Sequence, residues 1–539
     1  MKHAPSATWA LLPLVAALTA CMGNSDAPPT PVPPPTVKLD VFGARGDVLI
    51  AVPTVANCSP TATQYSWKDA QGRTLGQADR LTDTVPEEPV TITATCGTAS
   101  DTRTLDRRRV FASSAAFAVL KADGTVEAWG HPIWGGDASN VASKLIGVRQ
   151  IAGSERAFAA VLADDTVVTW GSSLAGGRSD APTAPLTGVA DVLPGELAFL
   201  ARKKDGTVAS WGSGRILFDG EGATFSVPTV LTEDVAAQLT NVSSWASNDS
   251  AFAALKQDGS VVAWGDPDVI FDADPAQLHD VVQLQANRTD FAVLRKDGSV
   301  FTWGAGFGGY PGEDTAKLLQ SGVKTLYSSG LAFAALKTDG SVVAWGGDGF
   351  SDYGNDASAV AAELSKVSRI YGNHVAFAAH KADGSVVSWG EPYRGIAGYT
   401  AIKSKLVQVR DVVATETAFA ALRRDGTVVA WGDPENGGDA SAIANSNFGV
   451  LAVYANHRAF AALRLDGSVL TWGAAADGGD SSSVASQLKG VRAIYRSAFG
   501  GFLAQRQDGS FVTWGGKHAG GDSSAVAARL TRIPYFTTN

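Results

Sequence analysis

The sequence predicts an all-β protein: a β-propeller of about ten three-stranded repeats with short helical connectors, preceded by a small β-sandwich. The first observation is a unit, typified by AFAVLKADGTVEAWG at Ala116–Gly130, that occurs ten times. The second is that each copy ends in Trp-Gly, and that a Phe twelve residues and an Asp six residues before the Trp recur in every copy. One Trp per unit at a period near forty is typical of propellers and repeat arrays. The ten tryptophans are Trp129, Trp170, Trp211, Trp264, Trp303, Trp345, Trp389, Trp431, Trp472 and Trp514.

Residues 1–20 have the pattern of a targeting segment. Lys2 and His3 precede an apolar run that ends Leu-Thr-Ala-Cys, which resembles the lipobox of a bacterial lipoprotein signal. The resemblance implies cleavage before Cys21, lipidation of its sulfur and, because residue 22 is Met rather than Asp, localisation in the outer membrane. An ordinary signal peptide with a chance Cys is the alternative. No later stretch approaches the ~20 apolar residues of a membrane span, so we expect membrane attachment through the lipid anchor only.

Residues 21–36 comprise the lipidated Cys and a Pro-rich linker, because MGNSDAPPTPVPPPT holds six prolines in fifteen positions. This composition favours an extended, semi-rigid spacer.

Residues 37–108 contain no copy of the repeat. Short apolar runs alternate with turn residues there, which predicts a small β-sandwich. Cys58 and Cys96 flank Trp67, and this arrangement resembles an immunoglobulin-like module. The resemblance implies an inter-sheet disulfide between Cys58 and Cys96, although Ala94 replaces the tyrosine usual two residues before the second Cys. Two free buried thiols are the alternative.

Residues 109–539 form the repeat array. Asp-Gly between two apolar runs is a strong β-hairpin signal, since a tight turn needs positive φ. The flanking runs are almost continuously apolar, which indicates strands buried on both faces. A recurring Val-x-x-Ile before the hairpin, as at Val148 and Ile151, predicts a third strand. Between units, Asp137, Asp480 and Asp522 precede short apolar-spaced segments, so each Asp is expected to cap one or two helical turns.

The recurring pattern A-F-A-x-L-x-x-D-G-[ST]-V-x-x-W-G, which five of the ten copies match in full and the others approximate, resembles the repeats of the regulator of chromosome condensation family. The short period of these copies is closer to secreted bacterial relatives with three-stranded blades, such as the propeller-type β-lactamase inhibitory protein. The resemblance covers about 430 residues, but ten copies exceed the usual seven blades. It implies a propeller and several different functions: nucleotide exchange on a small GTPase, chromatin binding or protein inhibition. Fold alone does not choose between them.

Composition and motifs exclude several classes of function. The net charge of −9 argues against a nucleic-acid partner. Seven histidines form no H-E-x-x-H, and no G-x-S-x-G, P-loop or dinucleotide motif is present. We therefore predict no catalytic residues, no cofactor and no metal. The acidic cluster Asp266, Asp268, Asp272 and Asp274 lacks the Gly and terminal Glu of a calcium loop. The aspartates that end the recurring Gly-Gly-Asp sequences between repeats are interpreted as helix caps rather than metal ligands.

These observations favour a non-enzymatic surface or periplasmic lipoprotein that binds a protein or glycan partner. A structural envelope protein without a specific ligand and a propeller glycosidase or lyase are the alternatives. The C-terminal Ile533–Phe536 matches the first strand of a repeat, so we predict that it pairs beside the first repeat and seals one ring. Two smaller propellers divided in the long Trp211–Trp264 interval, or an open solenoid, are the rivals.

A ligand is expected on the loops that follow Trp-Gly in the first and middle repeats. The last three copies have small and polar residues there, whereas earlier copies carry aromatic residues that the repeat does not require. Aromatic residues on loops of a rigid scaffold are common contact residues. Packing of each aromatic side chain against its own blade is the alternative. The candidate ligand-binding residues are Trp134, Phe307, Tyr310, Phe350, Tyr353, Tyr393 and Tyr399.

Overall fold

The structure is a computed structural model that describes residues 33–177, 186–218, 224–228, 231–305, 309–347, 353–530 and 532–538. The signal peptide, Cys21 and most of the Pro-rich linker lie outside the described residues.

The predicted β-sandwich is present in the N-terminal part of the described chain. Its strands are β1 (Thr36–Phe42), β2 (Val48–Ala56), β3 (Gln64–Lys68), β4 (Thr74–Gly76), β5 (Arg80–Thr82), β6 (Val90–Cys96) and β7 (Ala99–Leu105). One sheet has the order β1-β2-β5 and the other contains β7-β6-β3-β4. Their facing sides bury one cluster, in which the fully buried Trp67 and its cross-strand partner Ile92 of one sheet share the core with Leu39 of the other. A disulfide joins Cys58 to Cys96, with Cα atoms 6.1 Å apart, as predicted.

Each of the ten repeats forms its own antiparallel sheet, with the second strand between the first and the third. The strands of repeats one to five are β8 (Val110–Ala112), β9 (Ala116–Leu120), β10 (Val126–Gly130); β11 (Val148–Gly153), β12 (Ala157–Leu162), β13 (Val167–Gly171); β14 (Val189–Pro194), β15 (Ala198–Lys203), β16 (Val208–Phe218), with a fourth strand β17 (Thr224–Pro228); β18 (Val242–Ser247), β19 (Ala251–Lys256), β20 (Val261–Gly265); and β21 (Val281–Ala286), β22 (Asp290–Arg295), β23 (Val300–Gly304).

Repeats six to ten follow the same three-stranded plan. Their strands are β24 (Val323–Ser328), β25 (Ala332–Lys337), β26 (Val342–Gly346); β27 (Val367–Gly372), β28 (Ala376–Lys381), β29 (Val386–Gly390); β30 (Val409–Ala414), β31 (Ala418–Arg423), β32 (Val428–Gly432); β33 (Val450–Ala455), β34 (Ala459–Arg464), β35 (Val469–Gly473); and β36 (Val491–Arg496), β37 (Gly501–Arg506), β38 (Phe511–Gly515). A two-residue strand, β39 (Thr537–Thr538), follows the last repeat.

The connectors contain short helical segments, as predicted. The α-helical turns are α1 (Glu233–Gln238), α2 (Pro267–Ile270), α3 (Glu313–Leu318) and α4 (Tyr399–Ile402). Turns of 3-10 helix span Pro60–Ala62, Pro132–Trp134, Ala142–Lys144, Ser173–Ala175, Pro275–Gln277, Ser358–Glu363, Lys403–Lys405, Pro434–Asn436, Ser441–Ser446, Ala475–Asp477, Ser482–Val484 and Lys517–Ala519. The predicted Asp caps are wrong, however: the Asp480 carboxylate accepts the Ser482 N–H at 2.8 Å, but the N-cap of this turn is Ser481, which makes no side-chain cap hydrogen bond. Asp480 closes a tight turn just before the helical segment.

The hairpin of each repeat places its Phe and Trp directly opposite each other on one face. Phe117 is paired with Trp129 in the first repeat, and the same register holds in every repeat. The two rings lie 5.0–5.7 Å apart in all ten copies. The second repeat has Asp165 where the others have Gly, and Asp165 keeps the left-handed turn conformation with φ of 65°.

Side-chain packing, rather than shared strand pairing, joins neighbouring repeats, and each sheet is open at both edges. The buried Phe-Trp pair of one repeat packs against the middle strand of the repeat before it. In six repeats the indole Nε1–H of the Trp also donates to a glycine carbonyl in the preceding repeat, at 2.9–3.1 Å. One of these bonds runs from Trp129 to Gly520, so the first repeat contacts the tenth as internal neighbours contact each other.

The long third interval does not divide the array into two propellers. It contains the extension of β16 and its partner β17. Leu200 of the third repeat and Phe252 of the fourth share one buried cluster across this interval. The array therefore continues through the position where the alternative placed a split.

The C-terminal segment departs from the prediction. Ile533 does occupy the first-strand position of an eleventh copy, because its N–H donates to the Gly509 carbonyl at 3.0 Å, as Val491 N–H donates to Gly467. Its side chain packs between the tenth repeat and Val110 of the first. However, β39 then pairs with β7 of the sandwich and not with the first repeat. The C-terminal segment therefore contributes one buried side chain, Ile533, beside the first repeat. It does not add a hydrogen-bonded strand to the sheet of that repeat.

The sandwich packs against the first strands of the last repeats, which line the centre of the ring. The Gly43 N–H donates to the Arg492 carbonyl at 2.8 Å, and the Arg492 guanidinium contacts Asp40 at 3.0 Å. Arg80 donates to the Leu451 carbonyl at 2.7 Å. Ala493 is fully buried within the sandwich core. One side of the central channel is therefore occupied by the sandwich.

Candidate functional site: the channel mouth

The turn between the first and second strand of each repeat lies at one end of the central channel. We call the middle residues of these turns the collar. Each turn neighbours the turn of the next repeat around the ring, which gives ten junctions. Main-chain hydrogen bonds of 2.6–3.1 Å join the turns at nine of these ten junctions, and the one between the tenth and first repeats runs from the Phe499 N–H to the Ser114 carbonyl. Between the third and fourth repeats, the Glu196 N–H instead donates to the Ser247 hydroxyl at 3.3 Å. The collar residues are Ser114, Glu155, Glu196, Asp249, Arg288, Gly330, His374, Glu416, His457 and Ala498.

The loops that follow Trp-Gly lie at the same end of the ring as the collar. In the first repeat, for example, the His131 N–H donates to the Ala115 carbonyl at 2.9 Å. In the seventh repeat, the Glu391 backbone N–H donates to the Val375 carbonyl at 3.0 Å. We call this end the mouth face. The predicted ligand loops and the collar thus belong to one surface.

A cavity of about 1390 Å³ opens within the collar. One part of its wall is the sandwich segment 44–47 together with Pro86 and Glu87. The rest comes from collar turns of the first three and the last five repeats, including Glu155, His374 and Phe499. The sandwich and the repeats therefore build the cavity jointly.

The collar carries four carboxylates and one guanidinium. Arg288 pairs with Asp249 at 2.9 Å, and Arg156 lies 3.7 Å from Glu155. Burial raises the pKa of the Glu155 carboxyl, against the opposing effect of Arg156. Burial lowers the pKa of His457, against the attraction of the nearby Glu416, so this imidazole is neutral at pH 7.

Three of the predicted ligand residues have their side chains engaged by the protein itself. Trp134 is half-buried, stacked on His131 at 4.7 Å and covered by the Arg156 guanidinium at 4.7 Å. Tyr353 is half-buried and meets His374 edge-on at 6.1 Å. Tyr399 is only 6% exposed, and its hydroxyl donates to the Val386 carbonyl at 3.2 Å. Tyr399 therefore packs against its own blade, which was the alternative interpretation of these aromatic residues.

Two predicted residues present large exposed surfaces. Tyr393 is 85% exposed and Tyr310 is 50% exposed. The Tyr310 hydroxyl donates to Asp272, and burial together with this carboxylate raises the pKa of Tyr310 to about 12. Phe307 and Phe350 lie outside the described residues.

Sequence reasoning did not single out three other exposed apolar residues on the mouth-face loops. Ile133 and Leu174 stand four residues after their Trp, at the position that Tyr393 takes in the seventh repeat. Phe271 follows α2 in the fourth repeat. Alignment of the ten copies on their Trp would have revealed this shared position. Three copies carry a large apolar residue there, whereas the last three carry Glu435, Ala476 and His518.

Two of the four aspartates in the acidic cluster cap short helical segments. Asp266 and Asp274 accept the N–H groups of Asp268 and Ala276 at 3.0 and 2.9 Å. Over the part of the chain that the structure describes, no group of three or more potential ligands is placed to hold a metal ion. The same part holds no helix of the length and apolar character needed to cross a membrane.

No protein-family model matches the sequence, and no curated protein matches it either. Solved propeller structures do align with the chain. The Prp20p structure from Saccharomyces cerevisiae covers 61% of this chain and 82% of its own, at 16% identity and a TM-score of 0.30. The CRINKLY WD40 ectodomain of the Arabidopsis thaliana receptor kinase ACR4 covers 51% and 90%, at 16% identity and a TM-score of 0.28. At these values the alignments carry no functional argument, and the β-propeller class rests on the strand topology described above.

Proposed function

We propose that this protein is a non-enzymatic binding lipoprotein of the bacterial outer membrane that presents the mouth face of its ring to a partner protein. The lipobox-like segment ending at Cys21 and the proline-rich residues after it support the anchoring. Stable anchoring takes more than one acyl chain. The stiff linker then holds the folded part away from the membrane.

The observation that carries the binding function is the set of exposed apolar side chains on the mouth face. Phe271 is 86% exposed, Ile133 67% and Leu174 44%, in addition to Tyr310 and Tyr393. They stand on loops of a rigid scaffold, at the same end as the cavity. Apolar surface with a polar surround is typical of protein interaction sites, and aromatic anchors contribute much of the binding energy. Aliphatic members of the set favour a protein over a glycan.

The opposite end of the ring also exposes apolar side chains, among them Ile146, Phe448 and Leu465. Phe448 is covered by the Arg464 guanidinium at 4.3 Å. The cavity is lined by collar residues, which lie at the other end. The mouth face is therefore the better candidate for the partner.

Site-specific photo-crosslinking in intact cells tests this function. A photoreactive amino acid replaces Tyr393 on the mouth face or, as the matched control, Phe448 on the opposite end. We expect a discrete protein adduct from position 393 and none from position 448. Adducts from neither position would contradict the binding function and favour a structural envelope protein; an adduct from position 448 alone would place the partner on the wrong face.

A further inference from the structure

We infer that the mouth face points away from the membrane that anchors the chain, so that the partner approaches it from the aqueous side. This inference rests on the lipid anchoring in the proposed function. We call the opposite end of the ring, where the Asp-Gly turns lie, the hairpin end. The place where the linker joins the sandwich fixes the orientation, and the charges of the two ends favour it.

The sandwich strand β1 runs from the hairpin end towards the mouth. Asp40 contacts the Arg492 guanidinium at 3.0 Å, and the same guanidinium donates to Gln507 in the hairpin turn of the tenth repeat at 2.8 Å. Further along the chain, Asp47 lies 3.6 Å from Arg496, which ends β36 next to the collar. The chain thus passes from the level of the hairpin end to the level of the collar between these two aspartates.

The linker joins the sandwich beyond the hairpin end. Thr36 begins β1 four residues before Asp40, which places it about 13 Å beyond that contact along the strand, at a rise of about 3.3 Å per residue. The Pro34 carbonyl just before it accepts the Asn57 Nδ2–H at 3.2 Å. The linker therefore leaves the folded part on the side opposite the mouth.

The reach of the linker opposes the reverse orientation. Pro33 lies twelve residues after Cys21, and an extended chain spans at most about 3.6 Å per residue, or roughly 43 Å in all. With the mouth face against the membrane, the linker would have to return along the sandwich, whose strand β1 alone spans about 23 Å. It would also have to pass the ring, in which a blade of three strands is about 10 Å wide between its outer strands. This detour would use most of the reach, whereas a mouth face turned away requires none.

The charges of the two ends support the same orientation. A membrane with anionic lipids has a negative surface potential, which repels carboxylates and attracts Lys and Arg. The mouth-face loops expose further carboxylates besides those of the collar, among them Asp137, Asp268, Asp439 and Asp480. At the hairpin end, nine of the ten hairpin aspartates follow a Lys or Arg by two residues. Other exposed basic side chains at that end have no ion pair within the described residues: Lys144, Lys296, Lys366, Lys405, Arg424 and Lys489.

Energy transfer to a labelled lipid tests the orientation. The lipidated chain is placed in vesicles of phosphatidylethanolamine and phosphatidylglycerol that contain a rhodamine-labelled lipid as acceptor. A thiol-reactive donor dye is attached to one of three exposed positions, through Lys38→Cys in β1, Ala382→Cys in a hairpin turn or Tyr393→Cys on the mouth face. Because Cys58 and Cys96 form a disulfide, only the introduced thiol reacts. The Cys21→Ser chain with the same labels gives the background.

The Ala382→Cys variant is the matched control for Tyr393→Cys, because both positions lie in the seventh repeat and at opposite ends of the ring. The six-residue strand β28, which ends just before Ala382, separates the two ends by about 20 Å. We expect the loss of donor emission at positions 38 and 382 to be several times the loss at position 393. A loss at position 393 equal to or greater than that at position 382 would overturn the inference.

The two proposals fail in different ways. Stronger quenching at position 382 without a photo-adduct from position 393 would support the orientation and contradict the binding function. A photo-adduct together with equal quenching at positions 382 and 393 would overturn the orientation alone. Quenching at all three positions no greater than that of the Cys21→Ser chain would contradict the anchoring, and the orientation with it.

Discussion

The contact between the tenth and the first repeat can be tested at Gly520. Gly520 has φ of +88°, and a Cβ added to it would lie 2.5 Å from the Phe117 ring of the first repeat. Its carbonyl also accepts the Trp129 indole N–H at 3.0 Å. Gly520→Ala adds left-handed strain of about 1–2 kcal/mol and overpacking of about 1–3 kcal/mol. We therefore expect a loss of about 2–5 kcal/mol at this junction.

Gly188→Ala is the matched control, because Gly188 has φ of +68° and open space where its Cβ would be. This variant isolates the backbone cost of about 1–2 kcal/mol. Hydrogen exchange of β8–β10 and urea unfolding monitored by Trp fluorescence measure both effects. Faster exchange in β8–β10 for Gly520→Ala, beyond that of the control, is the expected result. Equal exchange and equal unfolding midpoints in the two variants would refute the argued clash between the tenth and first repeats.

Three further predictions follow from the anchor, the aromatic residues and the hairpin turns. Cys21→Ser should move the protein from the membrane to the soluble fraction; unchanged fractionation would contradict lipid anchoring. Tyr399→Ala should lower the melting temperature, since a buried aromatic truncation costs about 3–5 kcal/mol, whereas Tyr393→Ala should leave it nearly unchanged; similar melting of both variants would show that the burial argument is wrong. Acid should destabilise the array, because the pKa of all ten hairpin aspartates is lowered in the folded state. For Asp258 the value is about 2, mainly through the hydrogen bond from the serine hydroxyl two residues on. This stability is present above the unfolded value near 4 and is lost as pH falls towards 2; urea midpoints that do not change between pH 5 and pH 3 would contradict it.

The repeat hairpin could be predicted because its signals are local. Asp-Gly fixes the turn, and two apolar runs fix the strands on either side of it. Whether Phe117 and Trp129 share a face depends on the register, which the nearly continuous apolar pattern did not reveal. The turn at Asp165 shows that the hairpin tolerates loss of its Gly when the remaining contacts hold the chain.

The long-range contacts could not be predicted, since they join segments far apart in the chain. Nothing in the local pattern of Ile533–Phe536 shows that Ile533 packs beside the first repeat while Tyr535 and Phe536 pack into the sandwich. Likewise, Arg492 and Ala493 look like ordinary first-strand residues, although they contact the sandwich.

The collar was missed for a different reason. Its residues occupy a variable position of the repeat, which differs in charge and size from copy to copy, as Glu155, Arg288 and His374 illustrate. Comparison of strongly recurring positions draws attention to residues that build the scaffold. The available signal was the Ser, Thr or Asn that recurs one residue before the collar residue. It indicates a turn, but it does not reveal that ten such turns meet around one opening.

The pairing of the tail with the sandwich bears on the order of biosynthesis. The Tyr535 hydroxyl donates to the Gly43 carbonyl, and these two residues are 492 positions apart. During synthesis the β7 edge therefore remains without its β39 partner until every repeat has been made. An unpaired edge strand invites pairing with other chains, and incompletely synthesised or slowly folding proteins are the species most exposed to aggregation and proteolysis. A prematurely terminated chain of this protein would thus carry an open edge that quality-control proteases can detect.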